Sequence, residues 1–538
     1  MADSQEKLKK DKDAVKLDDF IVLGRYSLLI CLLSEFMILN QVGNMLYMAY
    51  SGAAPKLTGC GDTVFPENIT AKAACVEFTR LENDTGCKPT LEPQFKSVNY
   101  EWEYICSGTT VVKQSISVQM IGVIIGALLF GQLSDMFGRK WTLFSTLLFS
   151  QVFMIISSFT PNLLWFTVCR FFVNIFNGGS ITINMVNVNE NLPKKDRLWI
   201  NNIVTWAPNM IILAGVAYLT QNWRVLTVVS AIIATPGLIF NILISESPRY
   251  LIQKGKIQEA KQVIERMCKI DGRPFDKELL DHVLDKETKA ALESKSKSKN
   301  YTFFHLFYTL DFALYTIAIG FSFLVVSIMN YSILFNMEKL SGSIYVNAVL
   351  IAAFRYALNL IMAPCEMKFA WLGRKVIHTG SLTLIAFAAF SMLVLTLLGL
   401  QVQLPIIISV ASVGIVAVCS QLFIVNAVVS NELFPTAVRN LAYASSQFCA
   451  RIGVVLAPLI FLLAGFWEPL PYIAMVAIVT TDLLFFHSVI PETKGKPMAD
   501  RMPGPENRLF KGKNSKPDVE LKDLEASKKL TEDVEESH

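Results

Sequence analysis

The sequence predicts an all-α membrane protein of twelve transmembrane helices, arranged as two pseudo-symmetric six-helix bundles. Three observations predict it. The 538-residue chain is 52% hydrophobic and only 17% charged, with a mean hydropathy of +0.42, too apolar for ordinary soluble domains. About twelve apolar runs reach the roughly 20 helical residues that a hydrocarbon core requires. The pattern Glu-x-x-Pro-x-x-x-Arg occurs twice, at Glu190, Pro193, Arg197 and at Glu432, Pro435, Arg439, each time between two apolar runs. Such a repeat suggests two copies of one membrane unit.

The runs lie near 22–48, 115–134, 141–160, 163–186, 200–220 and 225–244, then near 312–335, 345–368, 376–399, 404–430, 440–465 and 471–490. This divides the chain into an N-terminal tail (1–21), a first bundle (22–245), a connecting segment (246–311), a second bundle (312–490) and a C-terminal tail (491–538). The first run follows the charged segment Met1–Asp19 but is longer than a signal-peptide core, so it reads as a retained span. Lysine and arginine crowd the N-terminal tail, Arg139-Lys140, Lys194 to Arg197, the stretch after Arg249, Arg374-Lys375, Arg439 and the C-terminal tail. These are alternate connections, and the positive-inside rule makes them cytoplasmic, with both termini inside. The net charge of +4 gives no case for nucleic-acid binding.

The connection at 50–113 then faces outward. It holds Cys60, Cys75, Cys87 and Cys106 and the sequons starting at Asn68 and Asn83. Four cysteines in an oxidising compartment favour two disulfides, with three connectivities open. Between the sixth and seventh runs, Ile257, Ala260, Val263, Ile264 and Met267 recur at helical spacing with Lys261, Glu265 and Arg266 between them. They predict amphipathic helices against the cytoplasmic ends of the bundle. Ser294–Lys299 reads as a flexible linker, and 496–538 as a disordered tail.

The connection after the second run, Gly131-Gln132-Leu133-Ser134-Asp135-Met136-Phe137-Gly138-Arg139-Lys140, resembles the signature loop of the major facilitator superfamily. Leu372-Gly373-Arg374-Lys375 resembles its degenerate second copy, with Ala370 at the aspartate position and a weaker charge set expected there. Further motifs narrow the resemblance: Glu101 to Cys106, Trp223-Arg224, Glu246-Ser247-Pro248-Arg249, Asn431 to Asn440, and Pro491-Glu492-Thr493-Lys494-Gly495. Together they resemble the organic anion, cation and carnitine transporters of the solute carriers, from about residue 22 to 500. The resemblance implies a plasma-membrane, multi-pass glycoprotein that moves small organic ions by alternating access. Charged motifs at helix ends suit gating: Asp135, Gly138, Arg139, Glu190, Arg197, Glu246 and Arg249 in the first half, and Glu432, Arg439 and Glu492 in the second. A shielded network of such pairs biases two states by about a few kcal/mol. Static helix capping is the competing reading.

Charges inside the spans are the better guide to substrate, because each costs about 2.5–3.5 kcal/mol at mid-bilayer unless it faces a partner or a watery cavity. Arg451 lies twelve residues beyond Arg439, about 18 Å along a helix at about 1.5 Å per residue. By the resemblance, anion and carnitine transporters carry arginine there. Arg355 lies near the middle of the eighth run, where relatives commonly have an acid, which argues against a typical organic cation. Asn359, one turn on, sits where some anion carriers have lysine. Glu35, central in the first run, is expected to pair with Arg355 or Arg451, to bind the ammonium of a zwitterion, or to take up a proton. Asn40 and Asn44 share a helical face suited to a carboxylate or carbonyl. Asn330, Tyr331, Trp206 and Phe423 complete the candidate surface, Tyr331 matching the family's aromatic wall. Asp482 reads as structural.

These readings converge on a polyspecific carrier of amphipathic organic anions, by exchange for an intracellular counter-anion. The alternatives are a carnitine-like zwitterion or organic cation carrier, and a transport-inactive receptor on the same scaffold. An enzyme is disfavoured: the sequence has no nucleotide-binding loop, no metal-ligand cluster and no catalytic constellation, and it implies no cofactor. The partners implied are small organic ions and the lipid bilayer, with no nucleic acid.

Overall fold

The computed structural model describes residues 17–66, 69–193, 196, 200, 203–274, 276–297, 302–401 and 403–496. Arg197, the sequon asparagine Asn68 and nearly all of the C-terminal tail lie outside the described residues. Local signals open and close the helices. Asn162, Asn222 and Thr309 lie before spans four, six and seven, and their side chains accept hydrogen bonds from the first-turn backbone, meeting donors that no helix satisfies internally. Span six breaks at Thr235, ahead of Pro236, because proline removes a backbone donor.

Ten helices among the described residues are long and apolar enough to cross a membrane. In the first half they are span one (Arg25–Met45, continuing as Tyr47–Ser51), span two (Thr109–Phe137), span three (Arg139–Ser157) and span six (Trp223–Ala234 with Pro236–Leu243). In the second half they are span seven (Leu310–Leu334), eight (Ile344–Lys368), nine (Arg374–Leu397), ten (Pro405–Leu433), eleven (Thr436–Ile460) and twelve (Leu470–Val489). Span four (Leu163–Asn191) and span five (Trp206–Thr220) complete the twelve. Span four is less apolar for a reason visible in its sequence. Arg170, Asn174, Asn177, Ser180, Asn184, Asn187 and Asn191 fall every three or four residues and are all buried. They form one polar stripe turned into the bundle, away from lipid.

In the first half, span four packs on spans one, two and three; a Cβ at Gly126 would lie 1.8 Å from the Ile175 carbonyl oxygen. Glycine lets the two backbones approach there. In the second half, span seven packs on ten, eleven and twelve, and span nine on ten and twelve. The halves meet where span two packs on eleven and span five on eight, the crossed pairing expected of two pseudo-symmetric bundles.

One face of the bundle, the tail face, carries Leu17–Phe20 and the helices Ile257–Asp271 and Lys277–Lys297. Ala260, Ile264 and Met267 bury the predicted amphipathic stripe, and Leu280, Val283 and Leu284 join Leu17 and Ile21 in the same cluster. The Asp271 carboxylate accepts from the Tyr26 backbone N–H at 2.9 Å, fastening this layer to the start of span one. The linker expected over Ser294–Lys299 is helical as far as Lys297, with residues 298 and 299 outside the described residues.

The opposite cap face carries a small folded loop. Strands Lys56–Cys60, Thr63–Val64 and Pro89–Glu92 form an antiparallel sheet beside the helix Ala71–Thr85. The disulfides are Cys60–Cys87 and Cys75–Cys106, one of the three connectivities left open by the sequence. Two distant sequence motifs also meet here. Glu101 accepts from Trp223 Nε1 and from Arg224 Nη2, each at 2.6 Å, and pins the loop to the start of span six.

Candidate functional site

Arg355 on span eight, Arg451 on span eleven and Tyr331 on span seven share one polar locus. Tyr331 is buried, and the charges of both arginines act on its hydroxyl. Its ring lies 5.7 Å from that of Phe335, which makes one wall aromatic. Arg451 also acts on Tyr443, and Arg355 on the Cys419 thiol. Neither arginine forms an ion pair with a carboxylate among the described residues. The next-door Asn330 is buried with its side-chain oxygen unpartnered among the described residues. Two cations and a phenol, from three helices of the second half, thus act on one another.

The other candidates divide. Asn359 Oδ1 accepts from Ser420 at 2.9 Å and from Gln421, so its acceptor is committed to span ten. Phe423 packs 6.3 Å from Phe323, and Trp206 lies half-buried at the start of span five against the shared core. The Glu35 pairing expected with Arg355 or Arg451 is not formed; Glu35 Oε2 instead accepts from Asn209 on span five at 2.7 Å.

Asn40 and Asn44 are both buried, and in this structure a fully buried arginine engages Asn44 while Asn40 bonds to Ser150 and Asn44. Arg170 donates to Asn44 Oδ1 at 3.0 Å and to its carbonyl at 3.2 Å, while its guanidinium sits 4.1 Å over the Tyr47 ring. Asn44 Nδ2 in turn donates to the Asn40 carbonyl at 2.9 Å. A cation without a carboxylate takes the nearest acceptors, and Asn44 supplies them. Arg170 escaped the sequence reading although the signal was present, an arginine seven residues into an apolar run.

At the tail face the charged motifs assemble within each half. In the first, Arg139 pairs with Asp135 at 2.6 Å and with Glu190 at 3.2 Å, and lies over the Tyr250 ring. Glu246 accepts from the backbone N–H groups of Arg139 and Lys140, capping span three. Gly138 has φ +104°, and a Cβ there would lie 2.2 Å from Glu246 Oε2. Arg249 follows in the helix Pro248–Gln253. In the second half, Arg374 pairs with Glu366 and with Glu432, the latter at 3.3 Å, and Glu492 caps span nine through the N–H groups of Arg374 and Lys375. With Ala370 at the aspartate position, the third acid of this set comes from elsewhere. Glu366, four residues earlier, supplies the third acid because span eight ends sooner relative to span nine. Within the second repeat, Glu432 and Arg439 do not pair; Arg439 Nε donates to the Phe434 carbonyl at 3.2 Å.

These carboxylates differ electrostatically. Burial holds the Glu246 carboxyl above its ordinary value against the backbone donors of Ser247, Lys140 and Arg139. Burial alone would also raise Glu492, but the N–H donors of Lys494, Lys375, Arg374 and Thr493 bring it below its ordinary value.

The two halves touch differently at the two faces. At the cap face, Lys113 Nζ on span two donates to Glu338 across the interface at 3.0 Å, with both side chains nearly buried. Gln94 receives the Ile344 N–H at 3.0 Å and Tyr345 Oη donates to its carbonyl at 2.9 Å, while the Tyr345 ring packs against Tyr50 and Tyr218. The large apolar cluster on this side contains residues of both halves. Toward the tail face the apolar clusters belong to one half each. None of these cap-face contacts was expected from the sequence, although Lys113, a lysine at the start of an apolar run, was a clue.

The profile of sugar (and other) transporters matches residues 68–501. The organic cation transporter protein of Drosophila melanogaster is 29% identical over 82% of this chain and 82% of its own length. Organic cation/carnitine transporter 2 of Homo sapiens is 27% identical over 79% of this chain and 75% of its own. Among solved structures, the inward-open conformation of the xylose transporter XylE from E. coli aligns with a TM-score of 0.63 at 16% identity, covering 88% of this chain and 98% of that one. Its fold is thus the major facilitator fold, and its matched relatives are solute carriers of organic ions. The chain belongs to the sugar (and other) transporter family, whose members carry small molecules across membranes.

Proposed function

We propose that this transporter is a polyspecific carrier of amphipathic organic anions at the plasma membrane, working by alternating access and by exchange for a counter-anion. One observation carries the substrate reading: Arg355 and Arg451 flank Tyr331 without a carboxylate partner among the described residues. An uncompensated pair of cations beside an aromatic wall favours a ligand that brings an anionic group and an apolar body. The first bundle (22–245) and second bundle (312–490) rock about this locus, with the cap face outward and both termini cytoplasmic. In this arrangement the cap face is the closed gate, and the Arg139 and Arg374 networks are the hinge-side clamps of each half.

Tracer uptake of an aromatic carboxylate into cells expressing the Arg451→Ala variant tests the reading. Losing a charge-assisted contact of about 1.5–3 kcal/mol lowers uptake at sub-saturating substrate by at least about tenfold. Unchanged anion uptake at normal surface abundance would refute the role of Arg451.

A second reading, a carnitine-like zwitterion carrier, is favoured by Glu35. That carboxylate is held by Asn209 rather than paired with an arginine, and the relatives named above are cation and carnitine carriers. Competition by anions, zwitterions and cations separates the two, since Glu35→Gln impairs only zwitterion uptake in this case. Flux in liposomes containing purified protein tests the transport-inactive alternative.

A further inference from the structure

A second polar centre lies inside the second half, and the proposed transport reading does not use it. Asp482 on span twelve, Ser322 on span seven, His378 on span nine and Asn426 on span ten are all fully buried. Asn426 Nδ2 donates to Ser322 Oγ at 2.9 Å, and Ser322 Oγ lies 2.9 Å from His378 Nε2. The Asp482 carboxyl lies against the same hydroxyl. Apart from that contact, neither carboxyl oxygen has a partner among the described residues. The His378 ring stacks on Phe486, one turn along span twelve from Asp482, with centroids 3.4 Å apart.

The uncompensated charge, rather than the hydrogen count, decides what this cluster requires. A serine hydroxyl has one donor and two acceptor positions. One acceptor position receives Asn426, and the single proton serves either His378 or Asp482. With Asp482 ionised, the hydroxyl can still be fully used if His378 donates from Nε2, but the carboxylate then lies in an apolar interior with no counter-charge. With one added proton the hydroxyl is again fully used and the charge is gone, while His378 Nδ1 and Asn426 Oδ1 stay without partners among the described residues. Asp482 donates to the second lone pair of Ser322, and Ser322 donates to His378 Nε2, whose own proton sits on Nδ1. The charge is also removed from a site where it is costly.

The surroundings supply no alternative compensation. From span nine the titratable neighbour is His378 itself. Arg374 begins that span one turn away and is engaged by Glu366 and Glu432. Spans seven and ten contribute Ser322 and Asn426, and on span twelve His487 is exposed. No charged side chain among the described residues acts on Asp482.

We propose that Asp482, Ser322 and His378 form a proton-binding site within the second half, occupied in this conformation and separate from the arginine locus. On release, the Asp482 O–H bond breaks as the Ser322 Oγ–H proton moves to His378 Nε2. Ser322 is re-protonated by Asp482, leaving a carboxylate and an imidazolium, and the proton leaves the site when the helices separate and the imidazolium passes it to water. The site therefore favours this packing of spans seven, nine, ten and twelve when protonated.

Infrared difference spectroscopy of the full-length protein in lipid nanodiscs tests this. Spectra are taken at about pH 7 in sodium, potassium and N-methylglucamine chloride in turn. The expected result is a protonated-carboxylic-acid carbonyl band, the same in all three salts and absent from Asp482→Asn. Labelling the wild-type protein with carbon-13 aspartate shifts the same band and needs no variant. Ser322→Ala moves it to higher frequency, as an acid that has lost its acceptor does. Absence of a label-sensitive band at this pH would overturn the proposal. So would its loss on adding sodium, which marks a metal-cation site instead, or an unchanged position in Ser322→Ala.

Discussion

The tail-face clamps of the two halves follow one plan with one substitution. Each sets an arginine at the start of a span (Arg139, Arg374) against the acid of the Glu-x-x-Pro-x-x-x-Arg repeat in its half (Glu190, Glu432). Each also caps that span with an acid from after the sixth helix of its half (Glu246, Glu492). The third acid differs. Asp135 sits one turn before Arg139 and leaves 73% of its side chain exposed, whereas Glu366 sits eight residues before Arg374 with 26% exposed. The connection differs with it, from a single glycine in the left-handed region at Gly138 to the segment 369–373, where Gly373 has φ −86°. Spatial position of the acid has been kept while its sequence position has drifted. A duplicated unit preserves the charge arrangement around a helix start, not the letters of the loop.

The comparison breaks most visibly at the arginines. Arg139 is the more buried, so Arg139→Ala leaves Glu190 without its partner and destabilises by about 3 kcal/mol. The more accessible Arg374 gives Arg374→Ala a smaller loss of about 1–2 kcal/mol. Thermal unfolding of the detergent-purified variants reads both, and a silent Arg374→Ala would mean that Glu366 does not replace Asp135.

The glycines isolate a subtler difference. A Cβ at either position meets a glutamate oxygen at 2.2 Å, so the collision is matched and only the backbone differs. Gly138→Ala is therefore expected to exceed Gly373→Ala by about 1–2 kcal/mol, the left-handed penalty. Equal midpoint shifts in the same assay would remove φ as the distinguishing feature.

The smallest effect is in pH. Glu246 is raised, so the folded protein retains a proton that the unfolded chain releases. That contribution falls as pH rises from the ordinary glutamate value through the raised one. Glu492 is lowered, so its contribution is present above the ordinary value and lost as pH falls through the depressed one. Plots of thermal midpoint against pH show the opposition: Glu492→Gln flattens the acid-side loss, and Glu246→Gln flattens the decline above it. If both variants flatten the same limb, the two caps are electrostatically alike.

Several features were legible from residue types alone. Hydropathy placed the twelve helices to within several residues, because each apolar run must satisfy its backbone internally in lipid. Arg355, Arg451 and Tyr331 stood out because polar groups are rare at that depth, and the fold does bring them together. The surroundings of Asn40 and Asn44 were not legible, because Arg170, which engages Asn44, lies 126 positions away. Their four-residue spacing showed that they share a face, but not what already occupied it. Glu366 was missed because a motif match assumes equal loop lengths. Lys113 was missed because its partner Glu338 lies on the other half, in a short turn at the cap face.

By itself the sequence determined the membrane class, the duplication, the helix limits and the residues whose charge must be answered inside the bundle. Those follow from local composition and from the expense of bare polar groups in hydrocarbon. Only the tertiary structure decided which acid answers which arginine, which cysteines pair, and that the halves share an apolar core toward the cap face but not toward the tail face. Such choices depend on which helices become neighbours, and span two meets span eleven through packing that neither segment encodes alone.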